Sequence, residues 1–429
     1  MSLLRIVFTT LGSTLAVVVA GFASGVVLAR ALGPEGRGAY AAIVLVATLA
    51  ASIGQLGLGQ AFVYSARRYP AWKPARAVLW GLLAVLLATA VMASGLARGL
   101  LAPAAWATLL VAAALAMAQS AQTFVVNCLQ LDVGLTKFNF LRVAQPWLAL
   151  LMVALLAGLQ ILTVEVAAGV LVVTSVFAAA TGIYFFHSAS AAVSKEAGTA
   201  QSPTLGSVLK YGIKYHLTTL VGVVVQNLDK VVLSQAQDLR EFGLYALAYN
   251  FSRLMASVQE AAATTLFSRY AGRQSDQLPT VSAQVFRITL LPMLLVAATV
   301  GWLLPKFFTH VYGPAFSAAV LPCMLLLLEA VIGSASWLLA QRFAAEGRPG
   351  LVFVRQALSL LPLGLVLLLP WHQPLSVRLA TGMLLAALVR LWLTLVIYPL
   401  VLGERVPRLL PNQEDFRMLR DLVAVVRRH

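Results

Sequence analysis

Long apolar stretches alternate with short polar segments along nearly the whole chain. Each stretch holds about 20 residues or more, the length that an α-helix needs to cross the roughly 30 Å hydrocarbon core of a membrane. Glycine, proline and clustered charges separate the stretches. The pattern predicts about 12 membrane-spanning helices. They lie at residues 4–32, 37–66, 74–100, 104–131, 134–159, 163–187, 206–236, 241–269, 281–304, 315–342, 349–370 and 375–402.

The composition supports this assignment and removes one alternative. Of the 429 residues, 60% are hydrophobic and 11% are charged, whereas soluble domains carry roughly 25% charged residues. The net charge of +16 is spread over short loops, so it is explained by helix orientation rather than by nucleic-acid binding. The side of the membrane that holds both termini carries about 22 Lys and Arg residues and the other side about 6, which predicts that the termini are cytoplasmic.

Cys128 and Cys323 lie in apolar segments, so we expect neither disulfides nor a metal site.

The chain contains an internal repeat. Residues 38–41, Gly-Ala-Tyr-Ala, are echoed by residues 243–246, Gly-Leu-Tyr-Ala, and the same offset places Gln55 on Glu260. A second pair of segments aligns at a slightly larger offset, which places Phe140 on Phe353 and Arg142 on Arg355. The matches are collinear, so they indicate a duplicated unit of six helices.

A repeat of six helices returns the chain to the side of the membrane where it began. The predicted fold is therefore an all-α polytopic membrane protein with two six-helix lobes, related as parallel repeats, around a central cavity. In such transporters the substrate site lies between the halves, and access alternates between the two sides. The predicted parts are an N-terminal lobe (1–188), a cytoplasmic linker (189–205), a C-terminal lobe (206–403) and a cytoplasmic amphipathic basic tail (404–429).

Polar stripes follow two of the predicted helices. Charged groups at membrane depth are costly unless they are paired or hydrated, so these stripes predict the wall of a water-filled cavity. A polar helix–helix seam, closed by hydrogen bonds, is the alternative. The seventh helix carries His216, Thr219, Gln226, Lys230 and Gln237, and the eighth carries Asn250, Arg253, Ser257, Glu260, Thr264 and Ser268.

Arg253 is the principal substrate-binding candidate, because a guanidinium can hold a diphosphate or a sugar carboxylate through two hydrogen bonds. The alternative is an ion pair with Asp229, although Asp229 and Lys230 can equally neutralise each other. Glu329 and Arg390 are predicted to form a structural pair. The further substrate-binding candidates are Lys214, His216, Asp229, Lys230, Asn250 and Glu260, together with Arg30, Arg142 and Arg355, for which anchoring at the membrane interface is the alternative.

Four segments carry a resemblance to a known family. Residues 28–41 (LARALGPEGRGAYA), 210–234 (KYGIKYHLTTLVGVVVQNLDKVVLS), 242–255 (FGLYALAYNFSRLM) and 344–356 (AAEGRPGLVFVRQ) resemble the polysaccharide-transport branch of the multidrug/oligosaccharidyl-lipid/polysaccharide exporter superfamily, which includes O-antigen flippases. The resemblance implies a central cavity lined chiefly by helices 1, 2, 7 and 8. It also implies undecaprenyl-diphosphate-linked glycan as the substrate.

We therefore expect a non-enzymatic flippase of the bacterial inner membrane that serves cell-surface polysaccharide synthesis by alternating access. No cofactor is expected, and the sequence does not specify whether H+ or Na+ is a coupling ion. The expected partners are the lipid-linked glycan, membrane lipids and the polysaccharide polymerase machinery, and not nucleic acid. A cation-coupled multidrug exporter of the same fold is one alternative, but it would require buried carboxylates. A membrane-embedded glycan polymerase is another, but it would require larger loops.

Overall fold

The computed structural model describes residues 3–69, 75–101, 105–131, 136–193, 204–270, 278–346 and 348–409. Within these ranges the chain forms helices joined by turns and contains no strand, so the all-α prediction is confirmed. The helices are α1 (Leu3–Gly54), α2 (Leu58–Arg68), α3 (Ala75–Leu100), α4 (Trp106–Cys128), α5 (Thr136–Gly158), α6 (Val164–Val193), α7 (Leu205–Gln235), α8 (Leu239–Tyr270), α9 (Leu278–Val311), α10 (Val320–Ala345), α11 (Pro349–Leu358), α12 (Leu361–Leu368) and α13 (Leu375–Ile397).

Helix length and hydropathy identify a multi-pass membrane protein. In the described part of the chain, nine helical segments are long and apolar enough to cross a membrane, and one of them, Gly12–Gly54, covers two predicted spans. Large apolar side chains cover the outer faces of these helices, with Trp80, Trp302 and Leu368 more than two-thirds exposed. Such exposure is unfavourable in water over so many residues and is suited to lipid.

The first two predicted helices agree with the structure at one boundary and differ at another. Helices 1 and 2 are separate as predicted, because α1 consists of two helices that meet at Gly33, where the backbone is non-helical with φ of 68° and the following Pro34 lacks a backbone N–H. The expected continuous helix over 37–66 is wrong. The chain unwinds at residues 55–57, because Leu56 and Gly57 adopt left-handed backbone angles with φ of 50° and 66°, and α2 then begins.

A second break divides the predicted helix over 349–370. α11 ends at Leu358 and α12 begins at Leu361, with Ser359 and Leu360 between them. Pro362 follows at once and cannot donate the backbone hydrogen bond that would continue α11. A 3-10 turn over Pro314–Ala319 likewise precedes α10, so this span begins with a tighter turn than the hydrophobic pattern indicates.

The chain divides into two compact units, residues 1–246 and 247–429. The first contains α1–α7 with the beginning of α8, and α7 packs there against α1, α2 and α3. The second contains the rest of α8 and α9–α13, where α10 packs against α9 and α13. The division into six-helix lobes stays a prediction. Residues 194–203 of the predicted linker and 410–429 of the predicted basic tail lie outside the described residues.

Repeat-related glycines bring α1 and the start of α8 into backbone contact within the first unit. A side-chain carbon at Gly38 would collide with the carbonyl oxygen of Leu239, and one at Gly243 would collide with that of Pro34. The offset that aligns Gly38 with Gly243 also aligns Pro34 with Leu239. The two contacts are therefore symmetric counterparts, as at an isologous interface, which supports the internal repeat.

Candidate functional site

A polar cavity of about 430 Å³ lies within the first unit, inside the range of roughly 300–1,000 Å³ typical of ligand pockets. Helices α1, α2, α4, α5, α6 and α7 all contribute to its wall. No Asp, Glu, Lys or Arg is among its described lining residues. The wall is therefore polar and almost entirely uncharged. The polar lining residues are Thr48, Ser52, Gln55, Gln60, Gln119, Gln122, Thr123, Asn127, Gln145, Ser175 and His216.

The unwound segment at residues 55–57 belongs to this wall. Gln55 Nε2 donates to the carbonyl oxygen of Ser120 at 2.8 Å and to its hydroxyl at 3.1 Å, and Thr89 Oγ1 lies 2.8 Å from the same hydroxyl. A side-chain carbon at Gly57 would collide with the carbonyl oxygen of Gly212. Irregular backbone at membrane depth is tolerated where it lines a cavity, and these contacts hold it in one place.

Two further residues complete the wall. His216 is 8% exposed and hydrogen-bonds the backbone of Ile53, just before the break. Ser175 is 1% exposed, and its hydroxyl has no hydrogen-bond partner in the described structure. A buried hydroxyl without a partner is unfavourable by roughly 1–3 kcal/mol, so Ser175 is a place where a polar occupant of the cavity would be stabilised.

The second unit holds a cluster of charged side chains. Glu329 on α10 accepts hydrogen bonds from Arg253 on α8 and, at 3.0 Å, from Nη2 of Arg390 on α13. The Glu329 and Arg390 side chains are 4% and 11% exposed, whereas that of Arg253 is 33% exposed. The predicted pair of Glu329 and Arg390 is present, and Arg253 joins it as a second partner that was not predicted.

Arg355 adds an uncompensated positive charge to this unit. It is 1% exposed, and its Nη1 donates to Ser336 Oγ at 2.6 Å and to Thr394 Oγ1 at 3.1 Å, which are neutral groups. Its Nε, like those of Arg253 and Arg390, has no hydrogen-bond partner among the described residues. Arg355 therefore lies buried among helices rather than exposed as an interfacial anchor.

Asp229 and Lys230 were candidates for substrate binding, and the structure gives both of them structural partners. Asp229 is fully buried and accepts a 2.6 Å hydrogen bond from the Tyr245 hydroxyl and a 3.5 Å contact from Lys230 Nζ. Arg253 pairs with Glu329, so the proposed Arg253–Asp229 ion pair is not the arrangement found. The alternative, in which Asp229 and Lys230 neutralise each other, is the one present.

The remaining candidates are scattered. His216 lines the cavity. Arg30, Asn250 and Glu260 are exposed, with Glu260 within electrostatic range of Arg253. Arg142 is half-buried over the ring of Phe138, 5.7 Å from its centroid. The side chain of Lys214 lies outside the described part.

Sequence reasoning missed the amides of the cavity, although they carry a signal. Gln119, Gln122 and Thr123 lie three and four residues apart, so they share one face of the apolar α4. Gln145 lies in the equally apolar α5. Polar residues inside a membrane span indicate function, but a neutral amide is a weaker signal there than an ionisable group, so these residues were not among the candidates.

Comparisons with known proteins agree with this architecture. The family described as polysaccharide biosynthesis protein matches residues 27–320. The fold is similar to that of a lipid II flippase, MurJ, with a TM-score of 0.68, 13% identity and coverage of 90% of this chain and 86% of the other. It is also similar to a Vibrio cholerae MATE transporter, VcmN, with a TM-score of 0.66, 15% identity and coverage of 93% and 97%. Among curated proteins, none matches the sequence.

Proposed function

Because the chain belongs to the polysaccharide biosynthesis protein family, we propose that it is a flippase for undecaprenyl-diphosphate-linked oligosaccharide in the bacterial inner membrane. The family match and the fold shared with MurJ and MATE transporters support a membrane transporter or flippase. The glycan-lipid substrate and the direction, from the cytoplasmic to the outer leaflet, are the finer part of the proposal. O-antigen and exopolysaccharide synthesis are pathways that such a protein would serve.

The charge of the second unit carries the proposal. Arg253, Arg390 and Arg355 outnumber Glu329 and the nearby Glu260, so this part of the membrane interior has an excess of positive charge. Arg253 is also the most exposed of the three arginines. Its planar guanidinium can grip a diphosphate through two hydrogen bonds, which a transported glycan-lipid would present.

Glu329 would keep such binding moderate. The headgroup must displace Glu329 from Arg253 in order to bind. When it does, Arg390 continues to neutralise the Glu329 carboxylate, to which its Nη2 donates at 3.0 Å. The cost of separating Arg253 from Glu329 is thus reduced, while the returning carboxylate favours release of the substrate. A transporter needs this balance, since a headgroup held in only one state would not be released.

A multidrug exporter is the second candidate, favoured by the fold shared with MATE transporters. A cationic drug would be attracted by an accessible carboxylate. Glu329 is held between two arginines, and Asp229 is bonded to Tyr245 and Lys230. The buried carboxylates of the described residues are therefore already neutralised, which favours an anionic substrate over a cationic one.

The rest of the proposal follows from this role. The protein acts without enzymatic chemistry or a cofactor, by alternating access, with both termini in the cytoplasm. H+ and Na+ are the candidates for a coupling ion, and the proposal includes neither. Lys214, His216, Asn250, Arg30 and Arg142 are further contacts for the glycan-lipid in this proposal. Membrane lipids surround the protein, and the polymerase machinery that receives the glycan is its expected partner.

Deleting the gene in its host tests this function. Mass spectrometry of the lipid fraction should show accumulated undecaprenyl-diphosphate-linked oligosaccharide, and a plasmid-borne copy of the wild type should remove it. An unchanged lipid fraction, together with increased sensitivity to cationic drugs, would instead establish the multidrug exporter.

A further inference from the structure

We infer that the cavity of the first unit is a subsite for uncharged sugar residues. The inference deepens the proposed function, because it assigns the glycan part of the substrate to residues of this chain. It depends on that function only for the source of the sugar. Whether sugars bind in the cavity can be measured without any transport.

The chemistry of the wall matches sugar hydroxyls. A glutamine or asparagine amide offers two donors and an acceptor, and a hydroxyl both donates and accepts. Such amides come together in a single cavity from three helices and from the unwound segment at residues 55–57. They belong to Gln55, Gln60, Gln119, Gln122 and Gln145. A lipid tail in the same place would leave these groups without hydrogen bonds, which is unfavourable, so the cavity is unsuited to an apolar occupant.

The same wall disfavours ions. None of its described residues is Asp, Glu, Lys or Arg, and an ion inside a membrane protein is costly without an opposite charge. His216 is the one ionisable group among the described lining residues, and it already bonds the backbone of Ile53. A charged sugar, a diphosphate or a cationic drug would therefore bind less well here than a neutral glycan.

Ser175 provides an independent indication of a ligand. Ser175 is one of the lining residues, and its hydroxyl is buried and lacks a hydrogen-bond partner among the described residues. Buried hydroxyls are nearly always paired in folded proteins. A sugar hydroxyl within the cavity would supply the missing bond.

The wall is also pre-organised. Ser120 holds Gln55 through two hydrogen bonds, and Gln130 Nε2 donates to Asn127 Oδ1 at 3.2 Å. The backbone is interrupted at the cavity, as in transporters whose substrate sites are built from discontinuous helices. A site whose groups are fixed in advance loses less entropy on binding.

Saturation-transfer NMR on the purified protein in lipid nanodiscs tests the inference. The probes are two neutral trisaccharides, maltotriose and mannotriose, with trigalacturonic acid and tetraphenylphosphonium as charged comparators. The double variant Gln119→Met, Gln122→Met keeps side-chain size and removes two amides. Gln235→Met is the matched control, since Gln235 is an exposed residue at the end of α7 that bonds Gly99.

We expect at least one neutral trisaccharide to bind the wild type and the control more tightly than either charged probe. Loss of two hydrogen-bonding amides should weaken that binding about tenfold or more in the double variant. Absence of binding by both trisaccharides, equal binding in all three proteins, or loss of tetraphenylphosphonium binding alone would overturn the inference.

A cysteine experiment decides the matter if the double variant does not fold. Thr123 is an exposed lining residue, and Thr123→Cys can be placed in a background with Cys128 and Cys323 replaced by alanine. The neutral trisaccharide should slow its reaction with a water-soluble thiol reagent, and unchanged labelling would contradict the inference. Failure here leaves the accumulated lipid intermediates of the deletion strain unaffected, so the two proposals fail separately.

Discussion

The two units of this chain carry different polar groups at membrane depth. Repeat-related positions show the contrast most directly, because Gln55 of the first unit aligns with Glu260 of the second. Phe140 and Phe353 are equally exposed, at 55% and 54%, yet two residues later Arg142 is half-buried and Arg355 is 1% exposed. At these duplicated positions the exposed phenylalanine is kept, and the polar groups differ in chemistry and burial.

The two proposals use these groups separately. The amides of the first unit bind neutral sugars, and Arg253 of the second unit binds a diphosphate. The two units also depend on different interactions. Close backbone contacts at glycines set the spacing of helices in the first, whereas the carboxylate of Glu329, shared by two arginines, connects helices in the second.

The largest effect is expected from Arg253 in the charged unit. Arg253→Ala should abolish export of the lipid-linked glycan while the protein level in the membrane stays normal, because Arg390 still neutralises Glu329. Arg253→Lys should retain part of the export, since the charge survives and the two-pronged hydrogen bonding is lost. Both are read from accumulated lipid intermediates and from immunoblots of the membrane fraction.

A double-mutant cycle with Glu329 separates substrate binding from structural pairing. Glu329→Gln leaves two guanidinium groups without their carboxylate and should destabilise the protein by about 3–5 kcal/mol. If Arg253 acts only as a partner of Glu329, adding Arg253→Ala to Glu329→Gln should lower export no further, because the pair is already absent. Equal export by Glu329→Gln and by the double variant would reject Arg253 as a substrate ligand.

A smaller effect, on folding rather than transport, is expected from side-chain size in the first unit. Gly38→Ala places a carbon against the carbonyl of Leu239 and should lower stability by about 1–3 kcal/mol through overpacking. Gly25→Ala, on the same helix, meets nothing within 4 Å and should be neutral or slightly stabilising. Thermal unfolding in detergent compares the melting temperatures of the two variants. Equal melting temperatures would show that the backbones of α1 and α8 are not in close contact at Gly38.

The smallest effect concerns an ion pair of the second unit, between the buried Arg342 and the exposed Glu404. Arg342 donates to both carboxylate oxygens of Glu404, at 2.6 and 2.5 Å, and this hydrogen bonding lowers the pKa of Glu404 from its ordinary value. The pair therefore stabilises the fold at neutral pH and is lost as the pH falls through the lowered pKa. Between about pH 7 and about pH 4, the melting temperature of the wild type should fall more than that of Glu404→Gln, and parallel curves would contradict this.

Sequence alone located most of the helices, because hydropathy is a local property. The predicted spans 74–100, 134–159 and 206–236 differ from α3, α5 and α7 by one or two residues. The pair of Glu329 and Arg390 was also predictable, since two opposite charges inside apolar spans need partners. The breaks at residues 55–57 and 359–360 were not predicted, because each interrupts a predicted span for only two or three residues, which a hydropathy pattern averaged over a span does not resolve.

Tertiary structure decided which polar groups meet. Gln119, Gln145 and Ser175 belong to three helices, and Gln55 lies in the break after α1. Only the packing of the first unit brings these four residues around one cavity. Opposite charge alone allowed Arg253 to pair with either Asp229 or Glu329. In the structure Arg253 donates a hydrogen bond to Glu329, and Asp229 accepts one from Tyr245. The sequence determined that the chain enters the membrane and which polar residues are unfavourable there. The packing of the helices determined which of those polar residues have a partner within the protein and which can bind a ligand.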